Sequence, residues 1–335
     1  MTVVDSDLIV QGDRWSVSAR PGQVSTADRL RSDVRTGLAQ DPPSLPARWF
    51  YDERGSQLFE EITRLPEYYP TRRETEILTD HAEEIAQLAD ATTLVELGSG
   101  TSTKTRLLLD ALSARGPLTF VPIDVSAEVL TEAGRAIADD YPMVTVHAVV
   151  ADFGDPLAPL PGEPGRRLVA FLGGTIGNLD RPARAGFLDR LRAALAVGDG
   201  FLLGADLRKD PARLVAAYDD SAGVTAAFNR NLIEVLRREL DAEGLDPSDF
   251  DHVARWNDND GRIEMWLRAN RDLDVRFAAL DLEWPLPAGA EMLTEISVKF
   301  DLAGLHHELS THGFELVRAW TDRAGDFSLT LARAQ

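Results

Sequence analysis

The stretch VELGSGTSTKT, residues 95–105, decides how this chain is read. It is the end of an apolar strand carrying Glu96, a turn built on Gly98 and Gly100, and then a helix expected to be capped by Thr101 or Ser102. Glycines at such a turn let the backbone approach a ligand with no Cβ in the way. A dinucleotide-binding turn would have a third glycine at position 103 for close helix packing, and Thr103 stands there instead. The glycine pair alone therefore fixes no ligand.

Working outward, TLVEL (93–97), FVPID (120–124), VTVHAVVA (144–151), LVAFLGG (168–174) and FLLGADL (201–207) are apolar runs bounded by Gly, Pro or Asp. The helical patterns TKTRLLLDALS, AEVLTEAGRAIADD and RAGFLDRLRAAL lie between them. That alternation predicts βαβ units and a parallel sheet covered on both faces. Asp124 ends the second strand, where a carboxylate can accept two ribose hydroxyls. Asp152 and Phe153 end the third, a carboxylate and a ring suited to an adenine amino group and its face. Taken singly, Asp124 reads equally well as a turn acid and Phe153 as core. In register with the glycine turn, they resemble the class I methyltransferase pattern.

Lys104 is placed against the helix dipole, in what is expected to be a first turn. It reads either as a solvated surface lysine or as a salt bridge to the methionine carboxylate of a cofactor. FLGGTIGNL (171–179) ends the fourth strand. There Gly173 and Gly177 permit tight turns, and the Asn178 amide can hold the carboxylate and amine of an amino acid or satisfy its own backbone.

On either side of this region the texture differs. Residues 1–20 are polar and weakly patterned and are expected to be a flexible tail. A short amphipathic helix is expected from Ala27 to about Leu38, then an aromatic loop around WFYD, and Pro66 and Pro70 bracket Tyr68 and Tyr69 so that no single helix spans them. After Lys209 the alternation stops. A long helical stretch with Tyr218, Phe228 and Asn229 leads to the strand-like HVARWND, RIEMWLRA and TEISVKF. The short TDRAGD connection before DFSLTLARA suggests a closing antiparallel hairpin. The expected layout is a cofactor domain over 75–208 plus 300–335 and an α+β substrate-binding lobe over 21–74 plus 209–299.

Bulk properties bound the class. The 335 residues include no cysteine, which excludes disulfides, thiolate zinc and a cysteine nucleophile. Six scattered histidines lack metal-ligand spacing, so no metal is expected. A formal charge of −20 disfavours nucleic acid as a partner. No signal-peptide pattern or run long enough for a membrane span is present, so a soluble cytoplasmic protein is expected.

The chain resembles the histidine-specific Nα-methyltransferases of ergothioneine biosynthesis from about Asp28 to Ala332. The resemblance rests on SLPARWFYDERGSQLFEEITRLPEYYPTR, LVELGSGTSTKTR, FLGGTIGNL, AYDDSAGVTAAFNRN, RIEMWLRA and EMLTEISVKF. It implies a Rossmann-like class I methyltransferase fold with a second lobe, S-adenosylmethionine as cofactor, and a monomer. It implies cofactor contacts at Gly98, Lys104, Asp124, Asp152 and Phe153. It implies a histidine pocket of Tyr68, Gly173, Asn178, Tyr218, Met265, Glu295 and Ser297, with Tyr51 and Phe59 lining or closing it. Gly174 departs from an expected serine and is expected to loosen its turn.

The expected reaction is in-line methyl transfer to the α-nitrogen of L-histidine, repeated to the trimethyl betaine hercynine. Asn178 and Tyr218 would hold the substrate carboxylate. Glu295 and Ser297, two apart on a strand, would face the same side and read the imidazole. Tyr51, Asn178 through water, or solvent could each accept the amine proton. Aromatic faces at Tyr51 and Phe59 suit the growing ammonium. The alternatives are a methyltransferase for another amino acid such as tryptophan, and a noncatalytic cofactor-binding protein.

Overall fold

The computed structural model describes residues 7–19, 25–152, 154, 155, 157 and 160–335. Phe153 lies outside the described residues. The chain divides into two compact units, one of residues 1–23, 70–207 and 300–335, the other of residues 24–69 and 208–299.

The first unit is built on a nine-stranded sheet. Its spatial order is Asp7–Gln11, Trp15–Ala19, Val144–Val150, Leu118–Asp124, Thr93–Leu97, Arg167–Phe171, Gly200–Asp206, Phe327–Ala334 and Phe314–Thr321. The six strands from Trp15–Ala19 to Gly200–Asp206 run parallel, and Phe327–Ala334 inserts antiparallel beside Gly200–Asp206. This is the doubly wound class I methyltransferase arrangement. Every residue of Thr93–Leu97, Arg167–Phe171 and Gly200–Asp206 is buried, which is why these strands read as continuous apolar runs with no alternation. The strand order reverses between Thr93–Leu97 and Arg167–Phe171, and a crevice for a ligand opens beyond the carboxyl ends at such a point.

The crossover helices follow their capping chemistry. Asp180 accepts the Ala183 N–H, Pro182 sits in the first turn, and the helix Arg181–Ala194 buries Phe187, Leu188 and Leu191. Each of those side chains contributes about 1.5–3 kcal/mol by leaving water. The helix Ala127–Asp140 is capped by Ser126 and buries Leu130, Ile137 and Ala138. The terminal hairpin of Phe314–Thr321 and Phe327–Ala334 forms as the short connection requires.

Two local expectations are overturned in this unit. The expected flexible tail is, over residues 7–19, a hairpin that extends the sheet, with Trp15–Ala19 parallel to Val144–Val150 and Val17 buried with Leu130 and Ala148. A five-residue strand with two serines carries little local signal, and its partner lies about 130 positions away. The helix after the glycine turn starts at Arg106, several residues later than Thr101 or Ser102. Ser102 itself has a positive φ of 53°, which no helix accommodates.

The second unit contains two antiparallel three-stranded sheets. One orders Glu291–Val298, Arg262–Ala269 and Phe250–Asn257, the other Leu282–Leu286, Leu273–Phe277 and Ala242–Glu243. Helices Thr26–Gly37, Glu53–Arg64, Pro211–Tyr218 and Val224–Glu239 complete it. The single long helical stretch expected after Lys209 is thus two helices. Gly223 at φ 75° and the Asp220 carboxylate, which accepts the Val224 and Thr225 N–H groups, restart the chain as a new helix. Leu30, Phe50, Leu58, Phe228, Leu232, Ile263 and Met265 share its core.

Candidate functional site

In the first unit, the glycine turn is pinned to the neighbouring strand. Gly98 and Ser99 donate their N–H groups to the Ile123 carbonyl at 2.8 and 3.2 Å. Gly100 donates to Asp124 Oδ2 at 2.9 Å, and Ser126 to Asp124 Oδ1 at 3.1 Å. Burial raises the Asp124 carboxyl above the usual range, the backbone N–H groups oppose this, and nearby Asp152 adds to it. Asp152 receives the Gly154 N–H at 2.7 Å. The sheet order thereby gathers Gly98, Asp124 and Asp152 at the carboxyl edge of adjacent strands.

Three polar atoms around this turn are buried without a hydrogen-bond partner among the described residues: Glu96 Oε2, Ser99 Oγ and Ser102 Oγ. Burial pushes the Glu96 carboxyl up to about 8, against the Thr105 hydroxyl that donates to Oε1. A Cβ added at Gly100, whose φ is +49°, would meet nothing within 4 Å. Unmet donors and an acid beside open space fit a polar ligand bearing an amino group and hydroxyls. S-adenosylmethionine has that chemistry.

Lys104 lies in the turn before the helix, and its Nζ donates to the Glu74 carboxylate. Glu74 is 0 % exposed. Both its oxygens also accept the Gly173 N–H, at 2.8 and 3.0 Å. A Cβ at Gly204 would collide with this carboxylate. The lysine of the glycine turn and the turn after the fourth strand therefore share one buried anion. Nothing local in RRETEIL marks Glu74 for this position. Gly174 has φ 71°, so glycine relieves strain here, and the looser turn expected from its replacing serine is not what the backbone requires. Asn178 ends the 3-10 turn Thr175–Asn178 that follows.

The other candidates fall in the second unit. Tyr218 ends its helix and places its hydroxyl 2.8 Å from Ser297 Oγ. Glu295 precedes Ser297 by two residues on Glu291–Val298 and pairs across the ladder with Met265, so the three side chains share a face. Glu295 keeps some solvent contact but is closely surrounded by protein, which pushes its carboxyl up to about 7, with Lys299 pulling the other way. Tyr51 lies 5.5 Å from Phe59 and 5.4 Å from Phe228, Phe59 lies 6.2 Å from Tyr68, and Tyr68 lies 6.2 Å from Tyr218, all edge-on. Tyr51, Phe59, Tyr68 and Tyr218 thus form one aromatic chain, which Phe228 completes. Phe59 stands on the helix Glu53–Arg64. Lys299, 1 % exposed, donates to both Tyr218 and Ser297.

Among the described residues no group of three or more His, Cys, Asp or Glu could hold a metal, and no helix is long and apolar enough to cross a membrane.

Comparison with known proteins bears on these features. A model of the family described as histidine-specific, S-adenosylmethionine-dependent methyltransferase matches residues 30–334. A histidine N-alpha-methyltransferase of Mycolicibacterium smegmatis is 56% identical over 309 residues, 92% of this chain and 96% of that protein. One of Mycobacterium tuberculosis is 54% identical over 320 residues, 95% of this chain and 99% of that protein. Ergothioneine biosynthesis protein 1 of Neurospora crassa is 32% identical over 291 residues, 84% of this chain but 32% of that longer protein. With the glycine turn, its acids and the class I sheet in place, the chain belongs to the histidine-specific, S-adenosylmethionine-dependent methyltransferase family.

Proposed function

We propose that this enzyme transfers methyl groups from S-adenosylmethionine to the α-nitrogen of L-histidine, three times in succession, to give hercynine in ergothioneine biosynthesis. The observation that carries the substrate is the face shared by Glu291–Val298 and Arg262–Ala269, where Glu295, Ser297 and Met265 bring an acid, a hydroxyl and a thioether together. An imidazole offers one N–H and one lone pair, and such a face can answer both. The protein acts as a cytoplasmic monomer, with neither nucleic acid nor membrane as partner.

When bound, the cofactor supplies a sulfonium-activated methyl group. The chain's own residues do the rest. Gly98 and Gly100 give the backbone close approach, Asp124 accepts hydroxyl hydrogens, Asp152 and Phe153 hold the adenine, and Glu96 can take an ammonium. Lys104 serves the methionine carboxylate while its charge is balanced by Glu74. Asn178 and Tyr218 hold the amino-acid backbone, aligning the amine for in-line attack and excluding water. Tyr51, Asn178 through water, or solvent takes the amine proton. The Tyr51 and Phe59 faces accommodate the growing ammonium.

The test is purified protein with S-adenosylmethionine and each free amino acid, followed by mass analysis. Histidine should gain three methyl groups while phenylalanine and leucine gain none. Glu295→Ala should lower the histidine-to-tryptophan ratio of kcat/KM by about tenfold or more, since a buried polar reader lost costs about 1–3 kcal/mol. An unchanged ratio would remove Glu295 as the imidazole reader.

A further inference from the structure

His252 has no part in the reaction as derived, yet it stands in a chain of hydrogen bonds inside the second unit. On the strand Phe250–Asn257 it pairs with Leu267, which puts its side chain on the same face as Met265. Its Nε2 lies 2.8 Å from the Tyr218 carbonyl, and its Nδ1 lies 2.8 Å from the Asn229 amide nitrogen. That nitrogen also donates to the Trp266 carbonyl at 3.1 Å. Asn229 Oδ1 lies 2.7 Å from the Thr294 hydroxyl, which in turn lies 3.0 Å from the Met265 carbonyl. Asn229 and Thr294 are both 0 % exposed.

Two carbonyls fix the protons of this chain, because a carbonyl only accepts. The Trp266 carbonyl holds the Asn229 NH2 group towards itself, and that NH2 can only donate to His252 Nδ1. The Tyr218 carbonyl requires a proton on Nε2. The ring is therefore neutral and in one tautomer. Burial lowers its pKa, Arg230 acting with it and the Tyr218 carbonyl, Asp219 and Asp220 against it.

Both ends of the chain sit where regular structure breaks. Tyr218 is the last residue of its helix, where carbonyls lack partners within the helix. At the other end, the ladder passes from Glu295 opposite Met265 to Leu293 opposite Trp266, so Thr294 is the extra residue of a β-bulge. A bulge re-aims the side chain beside it, here Glu295.

We propose that His252, acting through Asn229, is a positioning residue: a neutral brace that joins the end of the helix carrying Tyr218 to the bulge before Glu295, and so fixes the spacing between the group that holds the substrate carboxylate and the group that reads the imidazole. The inference rests on that reading of Tyr218 and Glu295 and deepens it. L-Histidine must meet both groups at once, so a pocket whose two ends drift loses affinity for an amino acid of fixed length.

The experiment measures kcat and KM for L-histidine at saturating S-adenosylmethionine, with S-adenosylhomocysteine affinity, in wild type, His252→Phe and His252→Gln. Phenylalanine fills the space but neither donates nor accepts, whereas glutamine keeps a neutral donor and acceptor. His252→Phe should raise KM about tenfold and leave kcat within about threefold, and His252→Gln should return KM to within about threefold of wild type. S-adenosylhomocysteine affinity should stay within about twofold, since the cofactor residues belong to the other unit. An unchanged KM in His252→Phe, a loss confined to kcat, or a glutamine variant no better than phenylalanine overturns the brace while leaving the substrate assignment intact. A wild type that does not prefer histidine overturns the assignment, and the brace with it. If His252→Phe fails to bind S-adenosylhomocysteine, Thr294→Val carries the kinetic test from the other end: KM raised about threefold or more supports the brace, and an unchanged KM overturns it. Nitrogen-15 spectra of the histidine-labelled protein, with His252 assigned by its loss in His252→Gln, should show a neutral ring protonated at Nε2 at neutral pH. A doubly protonated ring, or one protonated at Nδ1 alone, overturns the proposal.

Discussion

Asp124→Asn separates the cofactor reading from a purely structural one. The wild-type carboxylate accepts two backbone N–H groups, from Gly100 at 2.9 Å and Ser126 at 3.1 Å. Asparagine keeps one carbonyl oxygen, so one N–H would face an NH2 group, at a cost of about 1–3 kcal/mol for an unmet buried donor. A partly compensating gain acts on stability alone. Burial raises the Asp124 carboxyl, so its neutral form favours folding below the free carboxyl's value, and that contribution is lost as pH rises through the folded one. Burial opposes the charged form of Asp124, and the neutral amide removes that opposition. Ligand affinity should suffer more than stability. It also loses charge-assisted bonds to ribose hydroxyls, about 1.5–3 kcal/mol or roughly 10- to 100-fold. Calorimetric titration with S-adenosylhomocysteine and with NAD, beside thermal unfolding, reads both quantities. Wild-type binding of NAD tighter than S-adenosylhomocysteine, or Asp124→Asn binding S-adenosylhomocysteine within about twofold of wild type, would refute the reasoning.

Glu96, at about 8, is mostly protonated at neutral pH, so a ligand bringing an ammonium to it should release a proton. Titration with S-adenosylhomocysteine near pH 7 in buffers of different ionisation enthalpy should detect that proton in wild type and not in Glu96→Gln; equal heats across buffers would exclude it. Glu74→Gln leaves Lys104 without its buried counter-charge and should lower unfolding free energy by about 1–3 kcal/mol in urea denaturation, an unchanged midpoint being the contrary result. For Glu295, the protonated carboxyl favours folding below its ordinary 4.5, and this contribution disappears as pH rises through about 7. Glu295→Gln should therefore melt progressively higher than wild type between about pH 5 and about pH 8 and match it in more acid solution, whereas parallel curves would mean that burial does not govern this group.

Five of the six parallel strands were legible because each reads as an apolar run between turn residues, most plainly TLVEL and LVAFL, which are buried on both faces. The class was legible because the glycine turn and the strand-end acids fall at fixed offsets from those runs, and the family because long specific strings recur. What escaped was what depends on distant partners. The hairpin of residues 7–19 becomes strand only by pairing with Val144–Val150. The delayed start of the helix at Arg106 follows from a turn tied to Ile123 and Asp124.

The chain by itself thus determined the class of sheet and the alternation of strands and helices between Thr93 and Asp206, since these follow from local periodicity and motif spacing, while the cofactor came with the family's specific strings. Only the tertiary structure decided which charges are buried and whom they face. Glu74 reaches Gly173 across 99 positions, and Lys299 reaches Tyr218 across 81. Neither residue differs locally from a surface acid or a strand-end lysine. Its role arises from the desolvation and pairing that folding imposes on it, and no window of sequence contains both partners.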